Sequence, residues 1–414
     1  RGIGNAIAQR GIMLAMTLPI EYSRAVRRWV LPGVVRLRLW LSVGLLLAGF
    51  NAFAVQPYVH ESWTVRDGLP VNSITQIIQS RQGYLWLATF DGLVRFDGAR
   101  FQVHTSSNTP GLGHQRLVGV LETGDGQLLL SSDGGVLQLF DPNSERAQVL
   151  WTTPSGKAPL VWLGPDGEIF VSLEPGLGRL RGDRIEPMPI ASVSQWQINS
   201  LGFAGDGRMW VGTANAGVWS LTAGIARQLA APQQLSVGHI YALVEDGAGT
   251  LWVGGERGID LIDAAGVRAL RNGAGDWRIA TQYLRRQPDG SILAGSEAGP
   301  YLSQDGQLVA IDPEDRRRVP VQDQVLAIDP DWLISASAVF RKLPVSASGG
   351  DKPPAARELL YRLEDLEATR ITYALRDRGG SLWLATSGAG LHRLRPAVFR
   401  VLGEAQGLSA REVY

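Results

Sequence analysis

The side chains able to hold a metal, move a proton or grip a charge are few in this chain. It has no cysteine, which removes thiolate metal sites, cysteine nucleophiles and disulfides together. The five histidines, His60, His104, His114, His239 and His392, are far apart in the sequence and show no metal-ligand spacing. The Asp-x-x-Gly segments at Asp246–Gly249 and Asp377–Gly380 lack the acidic density of a calcium loop and read as β-turns. No glycine-rich phosphate loop lies between a strand pattern and a helix pattern. These residues offer no catalytic constellation, no metal set and no cofactor. They do offer a polar register. Ser73, Arg116, Gln197, His239 and Arg370 each stand ten residues before a repeated glycine, and each is followed by an apolar residue (Ile74, Leu117, Ile198, Ile240, Ile371). Two arginines and a histidine converging on one opening would suit an anionic or hydroxylated ligand, although strand starts at a solvated rim are polar in any case.

The elements that must position these residues repeat. Gly83-Tyr-Leu-Trp-Leu-Ala-Thr89 returns in variants beginning at Gly126, Gly167, Gly207, Gly249, Gly290 and Gly380, with a degraded copy at Trp332–Ser337. The first spacings are 43, 41, 40, 42 and 41 residues. A constant period of this length means stacked copies of one supersecondary unit. Within the fifth copy, His239–Glu245, Leu251–Gly254, Ile259–Ile262 and Val267–Leu270 read as four short strands separated by turns rich in Asp and Gly. Four antiparallel strands in about forty residues is the size of a propeller blade, whose two apolar faces only neighbouring blades can bury. The expected fold is therefore all-β, a β-propeller of seven or eight four-stranded blades. The strand around Trp63 is available to complete the last blade. The recurring Trp86, Trp210, Trp252 and Trp383 are expected to pack blade on blade.

Composition adds a compartment. Residues 1–54 carry seven arginines and one acid, leaving 33 basic against 38 acidic residues in the remainder. A mildly acidic body argues against a nucleic-acid partner. The leader reads as a signal peptide: a basic region over Arg24–Arg38, an apolar core over residues 39–50 and a cleavage site after Ala54. The expected organisation is a leader over 1–54, a propeller over 55–398 and the start of a further repeat over 399–414. The Ser-, Gly- and Pro-rich stretch 346–356 reads as an insertion.

Trp63-Thr-Val-Arg-Asp-Gly-Leu-Pro-Val-Asn-Ser-Ile74, followed by Gly83-Tyr-Leu-Trp-Leu-Ala-Thr-Phe-Asp-Gly-Leu-Val-Arg-Phe-Asp97, resembles the two-component regulator propeller repeat. The copies at Gly249 and Gly380 share its motif, and that at Gly207 is fair. Those at Gly126, Gly167, Gly290 and Trp332 lack the Trp-x-Gly-Thr core and join by register alone. The resemblance implies the periplasmic sensor region of a membrane-bound signalling protein, anchored by a downstream transmembrane helix and dimeric at full length. It also implies a small-molecule or saccharide ligand and a cytoplasmic histidine kinase or diguanylate cyclase beyond Tyr414. Two other readings stand beside it: a secreted propeller enzyme of lyase or hydrolase type, and a periplasmic scaffold that binds protein partners.

Overall fold

The computed structural model describes residues 58–190, 193–204, 206–273, 275–287, 289–304, 306–310, 332–334, 338–342, 357–362 and 369–396. The proposed leader, the insertion at 346–356 and the repeat at 399–414 lie outside these residues. Among the described residues the chain folds into eight successive antiparallel sheets, plus a two-stranded ribbon, Arg271–Asn272 with Gly275–Asp276. Six sheets are built of four strands met in chain order: blades 1 to 5 span residues 74–104, 117–152, 161–187, 198–230 and 240–269, and blade 6 spans 281–310. Blade 7 contributes three described strands, Trp332–Ile334, Ala338–Lys342 and Arg357–Arg362. Blade 8 takes three strands from residues 371–396, and its fourth, outermost strand is Tyr58–Trp63 from the other end of the chain.

The copy at Gly380 therefore closes the ring. Its inner strand, Ile371–Arg376, packs beside that of blade 1, Ile74–Gln79, and the Thr372 hydroxyl donates to the Ile74 carbonyl. Arg378 Nη1 and Nη2 donate to the carbonyls of Arg81 (2.9 Å) and Ser80 (3.0 Å) across the same seam. Arg81 repeats the device one blade on, reaching the carbonyls of Gly124 and Thr123 at 2.5 and 3.1 Å.

The core lies between sheets. The second strand of each complete blade, such as Leu85–Thr89, Leu251–Gly255 and Leu382–Thr386, is buried at every residue because both faces meet neighbours. Its successive side chains supply two interfaces: Leu382 and Leu384 pack toward blade 7, Trp383 and Ala385 toward blade 1. Trp86, Trp210, Trp252 and Trp383 are each 4% exposed or less and sit in four different interblade clusters, as their register requires. Each large buried side chain contributes roughly 1.5–3 kcal/mol. Asp246 and Asp377 add a bond: their Oδ2 atoms accept from Trp252 Nε1 (2.9 Å) and Trp383 Nε1 (2.7 Å) while Oδ1 caps the turn backbone. The Asp-x-x-Gly turn and the tryptophan six residues after its Asp are thus one unit.

The segment between strap and first blade is equally determined. Thr64 and Asp67 form a capping box around the short helix Val65–Asp67, and Gly68 at φ +105° ends it. Leu69 then enters the core, and Asn72 Oδ1 accepts from Val65 N at 2.9 Å.

Candidate functional site

Each of the five polar residues stands immediately before an inner strand: Ser73 before Ile74–Gln79, Arg116 before Leu117–Glu122, Gln197 before Ile198–Phe203, His239 before Ile240–Glu245 and Arg370 before Ile371–Arg376. Backbone bonds hold four of them against the turn between the second and third strands of their own blade. The carbonyls of Arg116, Gln197, His239 and Arg370 accept from the amides of Asp133, Ala214, Glu256 and Ser387 at 2.8–3.1 Å. The next residue but one is in each case the extra residue of a bulge. The pairing register shifts at Thr75, Val118, Asn199, Tyr241, Gln282 and Thr372, so one extra residue interrupts each of these inner strands near its start. Bulges re-aim side chains at rims of this kind.

The rim is not a uniform ring of free polar groups. Arg116 is committed: its Nε bonds Asp133 Oδ2 at 2.8 Å and its guanidinium lies over the Phe90 ring at 4.8 Å. His114 Nδ1 stands 4.0 Å from the same Asp133. A ligand anion would have to compete with Asp133 for Arg116, so the two-arginine opening expected from sequence is reduced in charge. Ser73 and Arg370 are brought together through Ser387, whose carbonyl accepts from Ser73 Oγ (2.7 Å) and whose Oγ accepts from Arg370 N (3.0 Å). Ser73 is thereby occupied in ring closure, whereas Arg370 is held by its backbone and stands exposed at the rim. His239 is exposed, with its ring 5.3 Å from that of Tyr241, which is 39% exposed. Gln197 is held by its backbone N–H to Asn215 Oδ1 at 3.0 Å and leaves its side chain at the exposed rim. Phe90, Asp133, His114 and Tyr241 were not expected from sequence. Only Tyr241 carried a signal, a large aromatic in the second place of a strand where Thr75 and Thr372 stand in other blades.

A separate cleft of about 170 Å³ opens between blades 3 and 4, lined by Phe170, Arg179, Met188, Phe203, Arg208 and Met209. It includes the turns at Gly164–Asp166 and Gly207, which join first to second strands and lie at the opposite strand ends from the rim. Among the described residues no three His, Asp or Glu side chains gather as a metal set.

The histidines correct the sequence reading. His60 and His392 are 332 residues apart, yet His60 Nε2 lies 2.9 Å from His392 Nδ1. Spacing along the chain was blind to this pair because the closing strand comes from the far terminus.

Comparison with known proteins bears on the repeat. Residues 68–91 and 234–257 match the two component regulator propeller family, and the chain carries repeats of that type. Both matches cover an entry segment with the first two strands of a blade, blades 1 and 5. Among solved structures, the extracellular domain of a hybrid two component system of B. thetaiotaomicron is 17% identical over 82% of this chain, with a TM-score of 0.48. The chain spans 42% of that structure's length. A streptogramin B lyase is 12% identical over 82% of this chain and 97% of its own, TM-score 0.48. The virginiamycin B lyase of Staphylococcus aureus is 11% identical over 81% of this chain and 98% of its own, TM-score 0.47. No curated protein matches the chain.

Proposed function

We propose that this chain is the extracytoplasmic ligand-sensing propeller of a membrane-bound bacterial signalling protein. The observation that carries the reading is the pair of two component regulator propeller repeats, which fall in blades 1 and 5 of the propeller. The basic and apolar leader supports export to the periplasm. The output is a histidine kinase or, second, a diguanylate cyclase on the other side of the membrane, reached through a transmembrane segment and working as a dimer. Among the described residues no helix is long and apolar enough to cross a membrane.

The rim is where a ligand would be read. His239 and Tyr241 present an exposed polar–aromatic pair, Gln197 an exposed amide, and Arg116 a cation balanced by Asp133. This mixture favours a hydroxylated ligand, with a small anion second. The test is a thermal-shift series with neutral oligosaccharides and with small carboxylates, run on the chain and on the Arg116→Ala/Arg370→Ala double variant. A ligand of the rim raises the melting temperature of the chain and loses that effect in the double variant. A ligand that stabilises both equally binds elsewhere and overturns the assignment of these residues. In cells, the double variant should abolish signalling while the propeller remains folded.

A further inference from the structure

We propose that the ring closure is a pH-sensitive clasp, in which the buried His392, bonded to His60, holds the N-terminal strap while it is neutral and releases it when it must itself take up a proton. The clasp is independent of the ligand reading, since it lies on the blade 7–blade 8 side of the strap and not at the rim.

The strap, Tyr58–Trp63, pairs with Leu391–Pro396. Its register sets His60 opposite Leu394 and Ser62 opposite His392, so the two imidazoles are diagonal neighbours on one face. The ring planes lie within 5° of parallel and the centroids are 5.2 Å apart, with the two nitrogens at 2.9 Å. That centroid separation is the sum of the N···N distance and the two ring radii. The rings are therefore joined edge to edge by an N–H···N bond and are not stacked face to face. Such a bond holds one proton between two nitrogens. A metal ion needs about 2.0 Å to each nitrogen with both lone pairs turned toward it, which this collinear arrangement does not provide.

The pair is the polar centre of a three-element joint. From blade 7, the Tyr361 hydroxyl lies 3.3 Å from His392 Nδ1, and the His60 and Tyr361 rings are 4.6 Å apart. Tyr58 meets Trp332 of blade 7 edge-on at 5.5 Å. The charged neighbours are Glu61 on the strap and Arg393 and Arg395 on its partner strand, and Glu61 bridges both arginines at 3.6 and 3.3 Å. By strand alternation Glu61 and Arg393 lie on the other face. The inner neighbour, Leu382–Thr386, contributes no ionisable group, and Tyr361 is the titratable group that faces the pair from the described part of blade 7. Among the described side chains, the carboxylate that acts on the pair is Glu61, which favours a proton on the exposed His60 and does not act on the buried His392.

His392 is 6% exposed. Burial, then the facing His60, push it down to about 4, with the nearby Ala389 backbone acting the other way. Burial lowers His60 as well, opposed by Glu61. A histidine held below its free value of 6.5 stabilises the closed form fully above pH 6.5. That contribution falls as pH drops through 6.5 and is gone below about 4. For His392 alone, the strap-opening equilibrium should rise about thirtyfold between pH 7.5 and pH 5.

The measurement is hydrogen exchange of the strap amides in the full chain at pH 7.5, 6 and 5, corrected for intrinsic exchange, with Leu251–Gly255 of blade 5 as the internal reference. The clasp predicts a strap-specific rise of about thirtyfold, abolished in His392→Gln. A strap that opens no faster than the reference, or the same pH dependence in His392→Gln, overturns it. Should His392→Gln fail to fold, His60→Gln removes the same bond from the exposed side. Independently, the imidazole titration of His392 in the native chain must fall well below 6.5; a titration at or above 6.5 also overturns the clasp.

Discussion

Buried polar side chains in this molecule fasten connecting segments to blades. Asp260 is 1% exposed and receives three hydrogen bonds from the segment entering blade 5, from Ser236 N (2.6 Å), Ser236 Oγ (2.6 Å) and Val237 N (3.2 Å). Gln138 holds the same place in the third strand of blade 2, accepting from Gly113 N at 2.8 Å and donating to His114 O at 2.6 Å. Each stands in for a missing strand partner, which is why a polar group is tolerated where Val94 stands in blade 1. Asp260→Ala strips two backbone N–H groups of their partner and should cost about 2–4 kcal/mol. Urea denaturation measures this; a loss below about 0.5 kcal/mol, the range of an ordinary surface change, would contradict the role. The same scale shows where sequence reasoning ran short. Arg116 reads as a free cation from its sequence position and is an ion-paired, ring-stacked one in space.

At the scale of the element, the second strand of each blade explains the motif. The fourth residue of that strand is small in every complete blade: Ala88, Ser131, Ser172, Gly212, Gly254, Gly295 and Ala385. The next blade's inner strand approaches closely there. A Cβ on Gly254 would meet the Thr281 carbonyl at 2.9 Å and Leu284 Cδ1 at 3.2 Å. Backbone cannot give way as a flexible side chain can, so Gly254→Val should overpack the blade 5–blade 6 interface and cost about 1–3 kcal/mol. Gly254→Ala should cost less. Equal melting temperatures for Gly254→Val and the parent chain would refute this. The glycine after Trp-Val is therefore a requirement of the neighbouring blade, invisible to any reading of its own strand.

The whole molecule depends on its seam. Trp63 of the strap stacks on Trp383 at 5.4 Å and meets Phe96 of blade 1 at 5.3 Å, while Tyr58 and His60 on the opposite face engage blade 7. One six-residue strand thus fastens two interblade interfaces. Arg378 adds its two carbonyl bonds on the turn side of blade 1. Arg378→Ala should lower stability by about 1–2 kcal/mol and loosen blades 8 and 1 before the rest. Hydrogen exchange localised to Ile371–Arg376 and Ile74–Gln79 would show it; exchange that rises uniformly around the ring would argue against a seam.

The sequence by itself determined the unit and its repetition. A forty-residue period, turn residues at constant offsets and apolar runs of strand length admit one architecture, because a single four-stranded sheet with two apolar faces is unstable alone. It also determined the ring of residues that open the inner strands, since register carries position from copy to copy. Tertiary structure alone decided the blade count, because the three strands of residues 371–396 lack an outer partner until Tyr58–Trp63 returns to supply it. It alone decided which rim groups are already engaged and which histidines meet. Those are contacts between residues up to 332 positions apart, and chain distance carries no information about a pairing made by closing a ring.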